Sequence, residues 1–272
     1  MVELGVKPVG AATYFPPSPW LASAPELQGV EVTTVTNGLP IEKIAAARPD
    51  LIVNATSDAG SDPGMRDELQ KLAPVLYSPK DNNTDSWQDR LRHLGKALGR
   101  SANAAESIVA AQRTLQSVNQ KFPVLKGATL TFARFGPPAT FAIVADDADF
   151  SRRFLNENLG FTTPTAQKQA YDGGRLKNVG GVIEGVSLER LDLLDGGADA
   201  ALIWFQDDKN LTSLERQSVW RTVPFVSEDR LVPMNIDAAI ALRTPTPASI
   251  AWSAEELLPS LASAIAKQKD GS

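Results

Sequence analysis

Arg134 is the residue whose type and position most clearly suggest binding chemistry. It ends the apolar run ATLTFARF and is followed by FGPP, so we expect it near the ligand-binding edge of a sheet. A guanidinium matches the carboxylate or hydroxamate oxygens of an anionic ligand through paired hydrogen bonds. The alternative interpretation is a surface arginine that pairs with a nearby aspartate.

Other polar and aromatic side chains fall where predicted strands end, which is where ligands gather in open α/β sheets. This rule selects Tyr14, Phe15, Ser57, Asp58 and Lys80 early in the chain, and Phe135, Trp204, Phe205, Gln206 and Asn235 later. Arg243 and the loop residues Tyr171 and Arg175 could also reach such a site. We expect Tyr14 and Trp204 to form aromatic walls, with a packed core aromatic as the rival interpretation of Trp204.

Several other kinds of chemistry find no support in the sequence. The chain has one histidine, His93, on a helical stripe, and no cysteine, which argues against a transition metal bound directly by the protein. Asp146, Asp147 and Asp149 lack the spacing of a calcium loop, and a helix N-terminus explains them. DAGSDPGM matches neither phosphate-loop pattern, and no Ser/His/Asp set occurs at strand ends.

The elements that must position these residues alternate between helix and strand. Helix IEKIAAA precedes strand DLIVN in the first half, and SLERLDLL precedes AALIWF in the second, so the same αβ unit occurs twice. We therefore predict an α/β protein of two doubly wound, Rossmann-like lobes at residues 1–100 and 123–272. The polar, glycine-rich region 162–182 is expected to be a long loop, and Pro259 to kink or divide the last helix.

A single long helix at residues 101–122 is predicted to connect the lobes. No glycine or proline interrupts the segment before Pro123, and Ile108, Leu115, Val118 and Phe122 mark one face. Asn103 with Glu106 resembles a capping box, with Ser101 as the rival cap. A helical connector predicts limited motion between the lobes.

An ordered set of segments resembles the substrate-binding proteins of iron-siderophore and vitamin B12 ABC importers. It comprises LGVKPVGAATYF, IEKIAAARPDLIV, LQKLAPVLY, SWQDRLRHLGKALG, SLERLDLLDGGADAALIWF and VWRTVPFVSEDRLVPM, and it looks closest to the ferric-citrate and ferrichrome-binding types. The resemblance implies the helical-backbone periplasmic binding protein fold and a ferric chelate held in the cleft between lobes. The family's first strand precedes LGVKPVG, so the first strand of the N-terminal lobe is expected to be missing.

The resemblance also implies a partner and a location. Matching glutamates, one in each lobe, dock on arginines of the membrane permease in this family, and they correspond to Glu42 and Glu189 here. A helix first turn, where an acidic side chain complements the helix dipole, is a compatible interpretation. We expect an extracytoplasmic monomer, although the start MVELGVKPVG lacks the features of a signal peptide.

Composition and the resemblance together define the alternatives. A net charge of −5 argues against nucleic acid as a partner. We expect a binding protein without catalytic activity, cofactor or protein-bound metal. Heme, with Tyr14 or Tyr171 as axial ligand, and cobalamin, between aromatic walls, are the alternative ligands. A two-lobed α/β enzyme is the remaining alternative.

Overall fold

The computed structural model describes residues 1–15, 17–22, 24–35, 38–54, 63–77, 85–174 and 176–270. The chain forms two compact units. The first contains Met1–Ala111 together with Thr246–Ala248, and the second contains Gln112–Pro245 together with the chain from Ser249 onward.

The first unit contains two pairs of short parallel strands. Strand β1 (Ala11–Thr13) pairs with β2 (Val32–Thr34), and β3 (Ile52–Val53) pairs with β4 (Val75–Leu76). Parallel pairing requires a crossover between the partners. The helices of this unit are α1 (Pro19–Ala22), α2 (Ile41–Ala46), α3 (Pro63–Leu72) and α4 (Trp87–Ala97).

A continuous helix, α5 (Ser101–Lys121), follows α4 and contains the boundary between the two units. Its 21 residues correspond to a length of about 30 Å. The carbonyl of Arg100 accepts the amide of Ala104 at 3.0 Å, so the helix begins before Asn103. The predicted Asn103 capping box is therefore wrong, because Asn103 already lies inside the first turn.

The second unit is built on a six-stranded mixed sheet. Its strands are β5 (Leu130–Gly136), β6 (Thr140–Val144), β7 (Asn178–Val179), β8 (Val182–Val186), β9 (Ala200–Phe205) and β10 (Leu231–Met234), in the order β10-β9-β5-β6-β8-β7. Strands β5, β9 and β10 are parallel, whereas β6 is antiparallel to β5 and β8, and β7 is antiparallel to β8. Only three residues connect β5 to β6, which is too short for a crossover helix and forces the antiparallel pair.

One face of this sheet packs against a buried hydrophobic core, and Arg134 lies on the other face. Ala133 and Phe135 of β5 belong to the buried core of one face, with Phe141, Ile203 and Trp220. The rings of Phe135 and Phe141 are 4.6 Å apart, and Phe141 stacks on Trp220 at 5.8 Å. Because side chains alternate along a strand, Arg134 must project from the opposite face.

Helix α6 (Phe150–Leu159) begins and ends as its sequence predicts. Asp149 is its N-cap and accepts hydrogen bonds from the amides of Ser151 and Arg152, while Gly160 closes it with a left-handed φ of 76°. The predicted helix N-terminus therefore explains Asp149, whereas Asp146 accepts from Lys168 and Asp147 accepts from Asn156.

The predicted long loop at 162–182 is wrong in part, because it contains helix α7 (Thr165–Asp172), strand β7 and the start of β8. Of the described α7 side chains, Gln167 is the fully buried one, while Ala170 and Tyr171 are partly buried against the core. The Nε2 of Gln167 donates to the Thr131 hydroxyl at 2.7 Å and to the Leu194 carbonyl at 2.9 Å. A polar residue thus occupies the position at which a helical pattern would show an apolar one.

The remaining helices complete the second unit, apart from Pro247 and Ala248, which belong to the first. They are α8 (Leu191–Asp195), α9 (Asp208–Glu215), α10 (Ser218–Arg221), α11 (Pro224–Ser227), α12 (Ile236–Arg243), α13 (Pro247–Glu256) and α14 (Leu258–Asp270). The division between α13 and α14 lies directly before Pro259, as predicted. Within the described part of the chain, no helix has both the length and the apolar character needed to cross a membrane.

Candidate ligand-binding site

A row of register partners brings Arg134 and Trp204 side by side. Arg134 of β5 is paired with Trp204 of β9 on one side and with Ala142 of β6 on the other. Trp204 is in turn paired with Met234 of β10. Directly paired residues project from the same face. The row lies near the carboxyl ends of the parallel strands, where α/β sheets bind ligands.

Arg134 forms an ion pair with Glu184 of β8. Its Nη2 is 3.4 Å from Oε2 and 3.5 Å from Oε1 of the carboxylate, and the two side chains are 37% and 35% exposed. Tight charge-assisted hydrogen bonds measure about 2.7–2.9 Å, so this pair is loose. The alternative prediction for Arg134 was a surface arginine that pairs with a nearby aspartate. The structure contains such a pair, but the acidic partner is Glu184.

A β-bulge in β8 places Glu184 within reach of Arg134. Phe141 pairs with Val186 and Ile143 with Ile183, so Glu184 and Gly185 together oppose Ala142. Gly185 has φ 72°, a conformation that glycine adopts without strain. Bulges of this kind redirect side chains at functional sites.

Arg134 and Glu184 line a concavity of about 320 Å³ in the second unit. Among the described residues that line it, Arg134 and Lys177 carry positive charges and Glu184 carries a negative charge. Its other lining residues are small or rigid: Gly136, Pro137, Pro138, Thr140, Ala142 and Gly185. The concavity therefore offers hydrogen-bond donors with partial internal charge compensation.

A larger open groove of about 570 Å³ lies between edge strand β10 and helix α14. Its charged residues are Asp229 and Lys267, which form an ion pair with each other. Pro233 and Pro259 also line it, and neither has an amide N–H to donate. The Arg134 concavity is the better candidate site, because it also adjoins the row at the strand ends.

Other predicted site residues of the second unit have structural contacts. Phe135 is 4% exposed and lies in the core of the opposite face, so it does not line the Arg134 concavity. The Tyr171 hydroxyl accepts the amide of Gly181 at 3.1 Å. Asn235 is the N-cap of α12, with its side-chain oxygen accepting the amide of Ala238 at 2.9 Å. Arg243 is exposed in the last turn of the same helix.

In the first unit, Tyr14 is 38% exposed and follows β1, next to the exposed Phe15. Among the remaining candidates, Phe205 is buried in the core and Gln206 is exposed beside Gly136. Arg175, Ser57, Asp58 and Lys80 lie outside the described residues.

Sequence reasoning missed Glu184 and Lys177. Glu184 lies in the strand VIEGV, where its only local signal is the following glycine, which is typical of a bulge. Lys177 precedes β7 in the segment predicted as a loop. Neither residue could be selected from the sequence, because strand pairing across β6 brings them to the concavity of Arg134. Their spacing along the chain gives no sign of that pairing.

The two predicted docking glutamates are exposed near helix starts. Glu42 lies in the first turn of α2, and Glu189 lies in the 3₁₀ turn Leu188–Arg190 that leads into α8. In both cases the next residue is a cation paired with a different acid: Lys43 with Glu31 at 2.9 Å, and Arg190 with Asp192 at 3.1 Å. Within the described residues, neither glutamate belongs to an ion pair.

The described residues contain no group of three His, Cys, Asp or Glu side chains arranged to hold a metal ion. Asp146 instead accepts from Lys168 Nζ at 2.6 Å. The hydrogen bond from Lys168 lowers the pKa of this carboxyl below its ordinary value, against the opposing effect of partial burial. The Asp146 carboxylate is thus engaged in an ion pair between α7 and the turn before α6.

Comparison with known proteins finds relatives of the chain as a whole. The probable siderophore-binding lipoprotein YfiY of Bacillus subtilis is 23% identical over 172 residues, which cover 63% of this chain and 50% of YfiY. The chain thus spans half the length of this relative.

Solved structures share the fold over nearly the whole chain. The ferrichrome complex of PiaA from Streptococcus pneumoniae is 23% identical, with a TM-score of 0.75 over 98% of this chain and 89% of PiaA. A periplasmic solute binding protein from Mycobacterium smegmatis is 23% identical, with a TM-score of 0.76 over 97% of this chain and 88% of its own. Residues 3–235 match the family described as "Periplasmic binding protein". The chain belongs to the periplasmic binding protein family.

Proposed function

We propose that this protein captures a ferric siderophore outside the cytoplasm and delivers it to the permease of an ABC importer. The observation that carries this proposal is the pairing of half-exposed Arg134 with Trp204 on one sheet face, beside a concavity at the strand ends. The names of the relatives, which include a siderophore-binding lipoprotein and a ferrichrome complex, support the same ligand class.

In this proposal the chelator supplies all the iron ligands, and the protein contacts only the outer atoms of the complex. A chain with one histidine and no cysteine suits this role, because it has few side chains that compete for a transition metal. Arg134 donates hydrogen bonds to oxygen atoms of the chelator, and Trp204 offers an apolar wall. Tyr14 is proposed as a contact from the first unit, with Asn235, Arg243 and Arg175 as secondary candidates.

The test is a titration of intrinsic tryptophan fluorescence with a panel of ligands: ferrichrome, ferrioxamine B, ferric enterobactin, ferric citrate, heme and cobalamin. A bound ferric complex absorbs light and should quench Trp204. Trp204→Phe should remove most of the quenching, although four other tryptophans remain in the chain. Iron-free chelators serve as controls.

Arg134→Ala should weaken the best-bound chelate by about tenfold or more, the size expected for a lost hydrogen bond to a charged group. Arg216→Ala is the matched control, because Arg216 is exposed in the same unit and does not line the concavity. Equal affinities for both variants and the unaltered protein would contradict the assignment of Arg134.

Heme or cobalamin binding without ferric-chelate binding would overturn the proposal. The Tyr171 hydroxyl accepts a hydrogen bond from the Gly181 amide, and this hydrogen bond would have to break before Tyr171 could ligate heme. Saturation at one chelate per chain, without any product, would support a binding protein rather than an enzyme.

A further inference from the structure

The Arg134–Glu184 pair is formed across an intervening strand. Strand β6 lies between β5 and β8, so two strand spacings, about 9.6 Å, separate the two backbones. The residue of β6 between them is Ala142, whose methyl group leaves space for the longer side chains to meet above it. The bulge at Glu184 and Gly185 directs the carboxylate into the same concavity.

We propose that Glu184 determines the charge class of the ligand, so that this site selects ferric chelates of neutral net charge over anionic ones. This inference rests on the proposed function and deepens it. The sequence alone predicted that Arg134 would favour an anionic chelate. The ion pair changes that expectation, because the arginine already has a counter-charge.

Arg134 can keep this counter-ion and still bind a neutral ligand. Its contacts with Glu184 use a single nitrogen, Nη2, at 3.4 and 3.5 Å. A guanidinium has five N–H donors, and Nε and Nη1 have no hydrogen-bond partner among the described residues. These donors suit the carbonyl and hydroxamate oxygens of a neutral complex, which need hydrogen bonds but no full counter-charge.

An anionic chelate would meet a less favourable surface. It would either lie close to the Glu184 carboxylate or displace it from Arg134, leaving two negative groups to share one guanidinium. Lys177 adds a second positive charge to the lining, but it is exposed, and water and salt screen exposed charges. Among the described lining residues, Glu184 is therefore the side chain that opposes anions.

The test compares Glu184→Gln with Glu215→Gln, which makes the same charge change at an exposed residue outside the concavity. The probes are ferrioxamine B with its terminal amine acetylated, which is neutral, and succinylated, which is anionic, because one scaffold then carries both charges. Ferrichrome and ferric enterobactin provide a second neutral and anionic pair. Thermal unfolding checks that each variant is folded.

The unaltered protein and Glu215→Gln should prefer the neutral member of each pair. Glu184→Gln should shift the ratio of the two dissociation constants about tenfold towards the anionic member. A purely structural role for Glu184 would weaken both probes equally. An equal effect, or no effect relative to Glu215→Gln, contradicts the inference and leaves the proposed function standing. If no ferric chelate of the panel binds the unaltered protein, the proposed function fails, and the inference fails with it.

Discussion

At the residue scale, Gln167 is the clearest case of a polar side chain that the fold requires. It is fully buried, and its Nε2 contacts the Thr131 hydroxyl and the carbonyls of Leu193 and Leu194 at 2.7, 3.2 and 2.9 Å. Helix α7 is thereby fastened to β5 and to the C-terminal end of α8. Removing the donor would take one hydrogen bond from each of these three acceptors, although the Leu194 carbonyl would still accept from the Thr131 hydroxyl at 2.9 Å.

We expect Gln167→Leu to lower the free energy of unfolding by about 2–3 kcal/mol, the cost of leaving buried acceptors unsatisfied. Gln167→Glu should cost more, because a carboxylate would then face carbonyl oxygens in a buried site. Urea unfolding followed by circular dichroism measures both. The control is Gln169→Leu, an exposed position in the same helix. Equal stabilities for the Gln167 and Gln169 variants would contradict this role.

The same residue shows what the sequence could not reveal. Helix α7 was predicted as part of a loop because the segment is polar and glycine-rich, and because its most buried position carries the amide of Gln167 instead of an apolar group, which weakens the periodic signal. Glu184 escaped notice for a related reason, since its partner lies two strands away and 50 residues earlier. Arg134 and Trp204 could be selected because a strand end is visible in the sequence, whereas strand register is not.

At the element scale, the corner between α4 and α5 depends on a close approach at Gly95. A Cβ atom placed on Gly95 would lie 2.6 Å from the Cβ of Ala104 and 3.1 Å from the carbonyl oxygen of Arg100. Ala104 is 1% exposed, so neither helix can yield without moving the other. The sequence predicted α5 from its apolar face, but this contact depends on the turn between α4 and α5.

Gly95→Ala should therefore destabilise the protein by about 1–3 kcal/mol, the usual cost of overpacking, despite the better helix propensity of alanine. The cost should fall by about 1 kcal/mol or more in an Ala104→Gly background, because the nearest clashing methyl group is absent there. A double-mutant cycle from urea unfolding measures this coupling. Additive effects of the two substitutions would show that the corner relaxes without strain.

At the scale of the whole molecule, the pattern of helices and strands along the chain predicted most of the architecture. The repeated αβ unit, the continuous connecting helix and the division at Pro259 are all present in the structure. The mixed sheet of the second unit was less predictable, because a three-residue connection after β5 determines that β6 runs antiparallel. Glu42 and Glu189 occupy matching positions in the two copies of the αβ unit. The role proposed for them requires both units, so it is argued at this scale.

Glu42 and Glu189 are expected to act in delivery and not in ligand capture. Each is exposed near a helix start, and each neighbouring cation pairs with another acid, so the glutamate charge is available to a partner with basic residues. The double variant Glu42→Lys and Glu189→Lys should abolish uptake of the radiolabelled ferric chelate by cells that carry the cognate permease. The dissociation constant of this double variant for the chelate should stay within about twofold of that of the unaltered protein, because neither residue lines the concavity.

The matched control is the double variant Glu68→Lys and Glu215→Lys, which reverses one exposed glutamate in each unit and makes the same change in net charge. This control should bind the chelate and support uptake normally, since its positions lie outside the repeated motif. If both double variants lose uptake equally, general repulsion from the permease is the cause. If the Glu42 and Glu189 variant loses chelate affinity to the same extent as uptake, the two glutamates act in ligand binding, and the docking assignment is wrong.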